Sequence, residues 1–188
     1  MPGHTRRVIV LLVVAFVLGA TLGAVAGASG TPYRRQDWRH WVTAPGECLN
    51  TRARVLLRDA ALVPARTPCG PVVGVWRDPY TGAAVTVAGE LDVDHLVPLK
   101  AAHESGAAAW SRADKERYAN DLGYRWHLIA VSASANREKG AKGPDAWRPA
   151  RREFWCQYGQ AWAAVKFTWG LSATDAERSA VRELVATC

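Results

Sequence analysis

The sequence predicts an α+β fold on three observations. Between residues 72 and 97 the apolar residues come in short β-rich runs, and residues 126–131 (WHLIAV) form another such run between polar stretches. From residue 151 onward they recur at helical spacing instead. Hydrophobic content of 49% with nine tryptophans is enough to build a core and excludes a chain that is disordered throughout.

The N-terminus is a different material. Arg6 and Arg7 precede an almost unbroken apolar run from Val8 to about Ala26, which ends in the small-x-small pattern Ala24-Val25-Ala26. Residues 1–28 are therefore expected to be a signal peptide cleaved near Ala26 or Ala28, leaving a secreted protein. The alternative is an uncleaved membrane anchor on the outer face of the cytoplasmic membrane, since the run approaches the roughly 20 residues that span a bilayer. Residues 29–47 read as a linker and 48–188 as the folded domain.

Cys48, Cys69, Cys156 and Cys188 all follow the leader and contain no C-x-x-C pair. Behind an export signal, such an even set reads as disulfides rather than a zinc site. Of the three possible connectivities, the local ones, Cys48 with Cys69 and Cys156 with Cys188, are preferred. The formal charge of +7 favours a polyanionic partner, although cell-wall polymers and acidic membranes are attracted by the same charge.

The elements can be placed in order. Asn50 or Thr51 is positioned to cap a short helix through Arg58. VVGVW (72–76) and AVTV (84–87) flank the turn residues RDPYTG (77–82), which predicts a β-hairpin. After Pro98 the pattern becomes helical, and Ser111 with Asp114 makes a capping box for a helix to about Leu122. Residues 126–131 are a second strand candidate, and Ser132 or Ser134 can cap a short helix through Asn136, Arg137 and Lys139. Helices at about 151–169 and 174–187 complete the chain, the second opened by a Thr174/Glu177 capping box. Trp155, Trp162 and Trp169, with Tyr158 and Val165, fall on one helical face and read as core.

Chemistry concentrates in ELDVDHLVPL (90–99), where two carboxylates and an imidazole interrupt an apolar strand that proline ends. In a regular strand Asp92 and Asp94 share one face and His95 takes the other, so Asp94 and His95 serve one site only where the strand ends or twists. A later strand and a capped helix bearing Asn136, Arg137, Lys139 and Lys142 complete a layout of strand, excursion, strand and helix. Structural readings stand beside the catalytic ones: Asp92 suits surface polarity as well as support, and Asn136 can simply cap its helix.

These residues resemble the HNH nucleases, also called ββα-metal or His-Me finger nucleases, and in particular their exported bacterial branch. The resemblance rests on DVDHLVP (92–98), the strand at 128–131 and SANREKG (134–140), and extends more loosely over NTR (50–52), DPYTG (78–82) and the tryptophan-rich C-terminus. It implies a ββα-metal core with an added N-terminal hairpin and C-terminal helices. It also implies that Asp94 and Asn136 hold one divalent metal, Mg²⁺ or Mn²⁺, with His95 as general base. Hard oxygen ligands suit those ions, and an imidazole with a pKa of ~6.5 suits proton abstraction near neutral pH. Asp92 and His127 are expected to support the site, and Arg137, Lys139 and Lys142 to meet substrate phosphates. Many relatives carry asparagine at the position of His127 and a final histidine at that of Asn136, so both are departures.

The expected activity is that of an exported endonuclease cleaving DNA with little sequence selectivity. The alternatives are a phosphodiesterase acting on RNA or another substrate, and a non-catalytic cell-surface module that grips polyanions. Nucleic acid is the expected partner in the first case. A membrane is a partner only if the leader is retained, and the oligomeric state is left open.

Overall fold

A computed structural model describes residues 31–64 and 68–188 of the chain; the expected leader, residues 1–28, lies outside the described residues. In chain order the elements are α1 (Thr51–Asp59), β1 (Ala60–Leu62), β2 (Val75–Arg77), β3 (Ala84–Val85), β4 (Leu91–His95), α2 (Leu99–Glu104), α3 (Arg112–Ala119), β5 (Leu128–Ser132), α4 (Ala133–Lys139), α5 (Trp155–Thr168) and α6 (Asp175–Val185). No helix among the described residues is long and apolar enough to cross a membrane.

The expected hairpin forms from β2 and β3, and β1 adds a third antiparallel strand that the sequence pattern did not disclose. Its turn depends on Gly82 at φ 80°, a conformation that glycine adopts without steric cost, and on Asp78, whose carboxylate accepts from the Tyr80 N–H at 2.8 Å and the Thr81 hydroxyl at 2.7 Å.

The centre of the molecule is a separate two-stranded antiparallel sheet in which β4 pairs β5, with Leu91 opposite Ser132, Asp94 opposite Ile129 and His95 opposite Leu128. Both faces are covered. Leu91, Val93, Leu128 and Ala130 pack into a smaller core with Val55 and Leu56 of α1 and Trp76 of β2. Ile129 and Val131 point into the main core around Tyr158, Trp162 and Val165 of α5. Strand alternation thus assigns Asp92 and Asp94 to the main-core face, under α4, and His95 to the other.

Helices α5 and α6 close the main core. Their close approach passes over Gly159, where a β-carbon would stand 2.8 Å from that of Leu184. The Cys156–Cys188 disulfide ties the same pair, and Cys48–Cys69 ties the start of α1 to the segment before the hairpin. Between them Lys166 and Glu177, both buried, form an ion pair at 2.5 Å, and the Lys166 ammonium also donates to Ser105 Oγ and the Ser172 carbonyl.

Asn50, Ser111 and Thr174 each cap by accepting from the backbone N–H three residues on; the box is complete at Thr174/Glu177, whereas at Ser111 the Asp114 carboxylate accepts from the serine hydroxyl instead of the backbone N–H. Three expectations need correction. The third helix ends at Ala119 rather than Leu122, because the Asn120 side chain is engaged by the N-terminal segment. The fifth is α-helical from Trp155, and the expected first turn from about Arg151 is wound as a 3-10 helix over Arg152–Phe154 instead. Ser132 precedes α4 without capping it through its side chain, since its hydroxyl donates to Asp78 at 2.6 Å and thereby joins hairpin turn to helix start.

Residues 31–47, read as a linker, lie against the domain. Trp38 is 1% exposed beside Trp110 and Tyr118. Asn120 holds the rest of this segment and the start of α1: its Oδ1 accepts from Val42 N–H at 3.0 Å and Thr51 Oγ1 at 2.8 Å, while its Nδ2 donates to the Arg39 and Glu116 carbonyls.

Candidate active site

On the face of β4 covered by α4, the Asp94 carboxylate is enclosed. The Tyr80 hydroxyl donates to its Oδ2 at 2.6 Å, and Lys139, at the last turn of α4 and 0% exposed, reaches Oδ1 at 3.0 Å and Oδ2 at 2.8 Å. The same ammonium donates to the His95 carbonyl at 3.1 Å. Burial pushes the Asp94 carboxyl up and the Lys139 ammonium down, so desolvation outweighs their attraction even at this separation. Burial also pushes the Tyr80 phenol well up, with the charge of Asp94 adding to it, which keeps the hydroxyl a donor. One step along the strand, Asn136 Nδ2 donates to Asp92 Oδ2 at 3.0 Å, and both residues are half-buried.

His95, the next residue along β4, is 5% exposed. Its Nε2 lies 3.0 Å from the Ala119 carbonyl at the end of α3. A carbonyl only accepts, so Nε2 carries the hydrogen and, in the neutral ring, Nδ1 carries the lone pair. Burial drives the imidazole pKa well below its ordinary value, and the neighbouring His127 adds to this, so the neutral form prevails near pH 7. His127 is arranged alike: Nε2 meets the Tyr118 carbonyl at 2.7 Å, burial lowers its pKa, and its Nδ1 has no partner among the described residues.

The indole of Trp41 stacks on the His95 ring, centroids 5.4 Å apart and planes at 20°, and the Tyr118 ring lies near-parallel to it at 6.4 Å. The His40 ring stands edge-on to His95 at 6.5 Å. Trp41 has φ 60°, a left-handed conformation that costs a bulky residue about 1–3 kcal/mol.

The structure therefore brings Asp92, Asp94, Asn136 and Lys139 together where α4 crosses β4, and places His95 beside His127, Tyr118 and Trp41. Arg137 and Lys142 are exposed on and just after α4, and the Lys142 ammonium donates to the Glu138 carbonyl at 2.7 Å. Lys139 is a correction: an ammonium with no solvent exposure, held by Asp94 and a carbonyl, is not a surface phosphate contact. Trp41 and Tyr80 are functional-site neighbours that sequence reasoning passed over. The signal available for Tyr80 was an aromatic in the middle of a polar turn.

Oxygen donors suited to a divalent ion are present in Asp92, Asp94 and Asn136. As arranged they do not fit one, because both Asp94 oxygens are engaged by Lys139 and Tyr80 and the Asn136 amide is turned to Asp92. Among the described residues no group of three or more His, Cys, Asp or Glu side chains is placed to hold a metal.

Residues 72–184, which contain the whole ββα unit, match the family model described as GmrSD restriction endonucleases, C-terminal domain. An uncharacterized secreted protein of Arthroderma benhamiae is 42% identical over 156 residues, covering 83% of this chain and 76% of that protein. No solved structure matches the chain.

Proposed function

The chain belongs to the GmrSD restriction endonuclease C-terminal domain family, and from that premise we propose that it is an endonuclease hydrolysing DNA phosphodiester bonds with low sequence specificity, with His95 as general base. It is a secreted protein, as its relative is, and its two disulfides suit an oxidising exterior. The observation that carries the reading is the order of parts inside the matched span: Asp94 and His95 closing β4, β5 paired to it, and α4 delivering Asn136 and Lys139 across the strand.

In this mechanism the Ala119 carbonyl fixes the tautomer, and the lone pair on His95 Nδ1 takes a proton from water as its oxygen bonds to phosphorus and the bond to the leaving 3′ oxygen breaks. Arg137 and Lys142 contact the flanking phosphates, an interaction that ignores base sequence and weakens with salt. A divalent metal, Mg²⁺ or Mn²⁺, belongs to this reading through the family resemblance. Asp94 and Asn136 would hold it and it would supply charge stabilisation at the phosphate, although the Asp94 carboxylate as it stands is taken by Lys139 and Tyr80.

The test is plasmid nicking by the mature protein with Mg²⁺ or Mn²⁺, with EDTA, and with a folded His95→Ala variant. Nicking that is lost in EDTA and in the variant is expected. Undiminished cleavage by His95→Ala overturns the assignment of the base, and cleavage of RNA or small diesters in preference to DNA moves the substrate.

A further inference from the structure

Trp41 lies outside residues 72–184, the span matched to the family, yet its indole stacks directly on the imidazole of His95. It is also the single non-glycine residue with positive φ among the described residues. A bulky residue stays in that conformation only where its surroundings fix it, and such strained positions gather at functional sites. The chain is fixed on both sides of Trp41. Before it, Trp38 is buried in the main core and the Arg39 carbonyl accepts from Asn120. After it, the Val42 N–H donates to Asn120 Oδ1 and the Val42 carbonyl accepts from the Thr51 N–H at 2.9 Å.

With the backbone held on both sides, the indole lies against His95, with the His40 ring edge-on beside it. We infer that Trp41 is a positioning residue for the base. Its ring holds the imidazole plane, while the Ala119 carbonyl holds Nε2, so that together they set the direction of the Nδ1 lone pair. The N-terminal segment thereby completes a site whose other parts all come from the matched span. Trp41 itself touches no reacting atom. The inference rests on the reading of His95 as base.

Two substitutions of comparable bulk separate this role from simple packing. Trp41→Phe keeps a ring that stacks; Trp41→Leu keeps apolar contact without one. For folded protein, judged by circular dichroism, kcat of the leucine variant is expected to fall on the order of 10- to 100-fold with KM for DNA little changed, because misplacing a catalytic group costs turnover rather than binding. The phenylalanine variant should stay near wild type. A second readout does not need nuclease activity: carbethoxylation of His95 by diethyl pyrocarbonate, mapped by peptide mass spectrometry, should be accelerated in Trp41→Leu and not in Trp41→Phe. Equal behaviour of the two variants in both measurements overturns the inference. If the wild type cleaves no nucleic acid, the functional reading fails by itself. The carbethoxylation rates then decide whether Trp41 positions His95.

Discussion

The Lys139 ammonium and the Asp94 carboxylate meet at 2.8 Å in a position where the lysine has no solvent exposure. Removing one partner of such a pair leaves the other charge buried and unpaired, which costs about 3–5 kcal/mol. Lys139→Met should lose stability of that size in urea or thermal unfolding with EDTA present. The same variant should be raised in Tm by Mn²⁺ more than wild type is, because the ion then meets a carboxylate without a competing cation. An equal response to Mn²⁺ in both proteins would place the ion away from Asp94.

Tyr80 reaches the same carboxylate from the hairpin turn through a 2.6 Å hydrogen bond. Tyr80→Phe removes only the hydroxyl, and its ring neighbours Trp147, Phe154 and Tyr158 stay packed. A hydrogen bond to a charged group contributes about 1.5–3 kcal/mol. A loss of that order in chemical denaturation is expected, and Lys139→Met/Tyr80→Phe should fall short of the sum of the two single losses because both act on Asp94.

His95 and His127 are buried with pKa values lowered by desolvation, so the folded protein binds fewer protons than the unfolded chain below about pH 6.5. Stability contributed by their neutral forms is complete above that pH and declines as the pH falls toward the folded-state values. Each histidine adds a slope of about 1.4 kcal/mol per pH unit within its window. Urea unfolding at several pH values between about 5 and 7 should show this decline, and His127→Gln should make it shallower.

The two disulfides enclose separations of 21 and 32 residues, and each should contribute about 2–4 kcal/mol by restricting the unfolded chain. Reduction with dithiothreitol is expected to lower Tm markedly. Cys156→Ala/Cys188→Ala should loosen α5 against α6, seen as faster amide exchange in both helices and little change in α1.

What could be read in advance was local. Asn50, Ser111 and Thr174 announce helix starts because a cap needs only a side chain and an amide three residues away. The strand, excursion, strand and helix around Asp94 and Asn136 were visible for a similar reason, since each part follows from its own short pattern. What stayed hidden depends on partners far along the chain. Nothing near Lys139 says that its ammonium turns inward to Asp94 on β4, and nothing near Ser132 says that Asp78 takes its hydroxyl. Strand alternation did warn that Asp94 and His95 take different partners, and they do: Tyr80 and Lys139 hold the carboxylate, while the Ala119 carbonyl holds the imidazole. The stack with Trp41 was beyond pattern reading, since it requires a left-handed tryptophan held by Asn120.

Asn120 also bears on how the protein ages outside a cell, where it is not replaced. Its amide nitrogen donates to two carbonyls, those of Arg39 and Glu116, and its oxygen accepts from Val42 and Thr51. Hydrolysis of that amide to aspartate keeps the acceptor and turns the donor into a second oxygen facing two others. A change of one mass unit would then set a carboxylate oxygen against the Arg39 and Glu116 carbonyls and weaken the hold on the stretch that carries Trp41, leaving Trp38 as its anchor in the core.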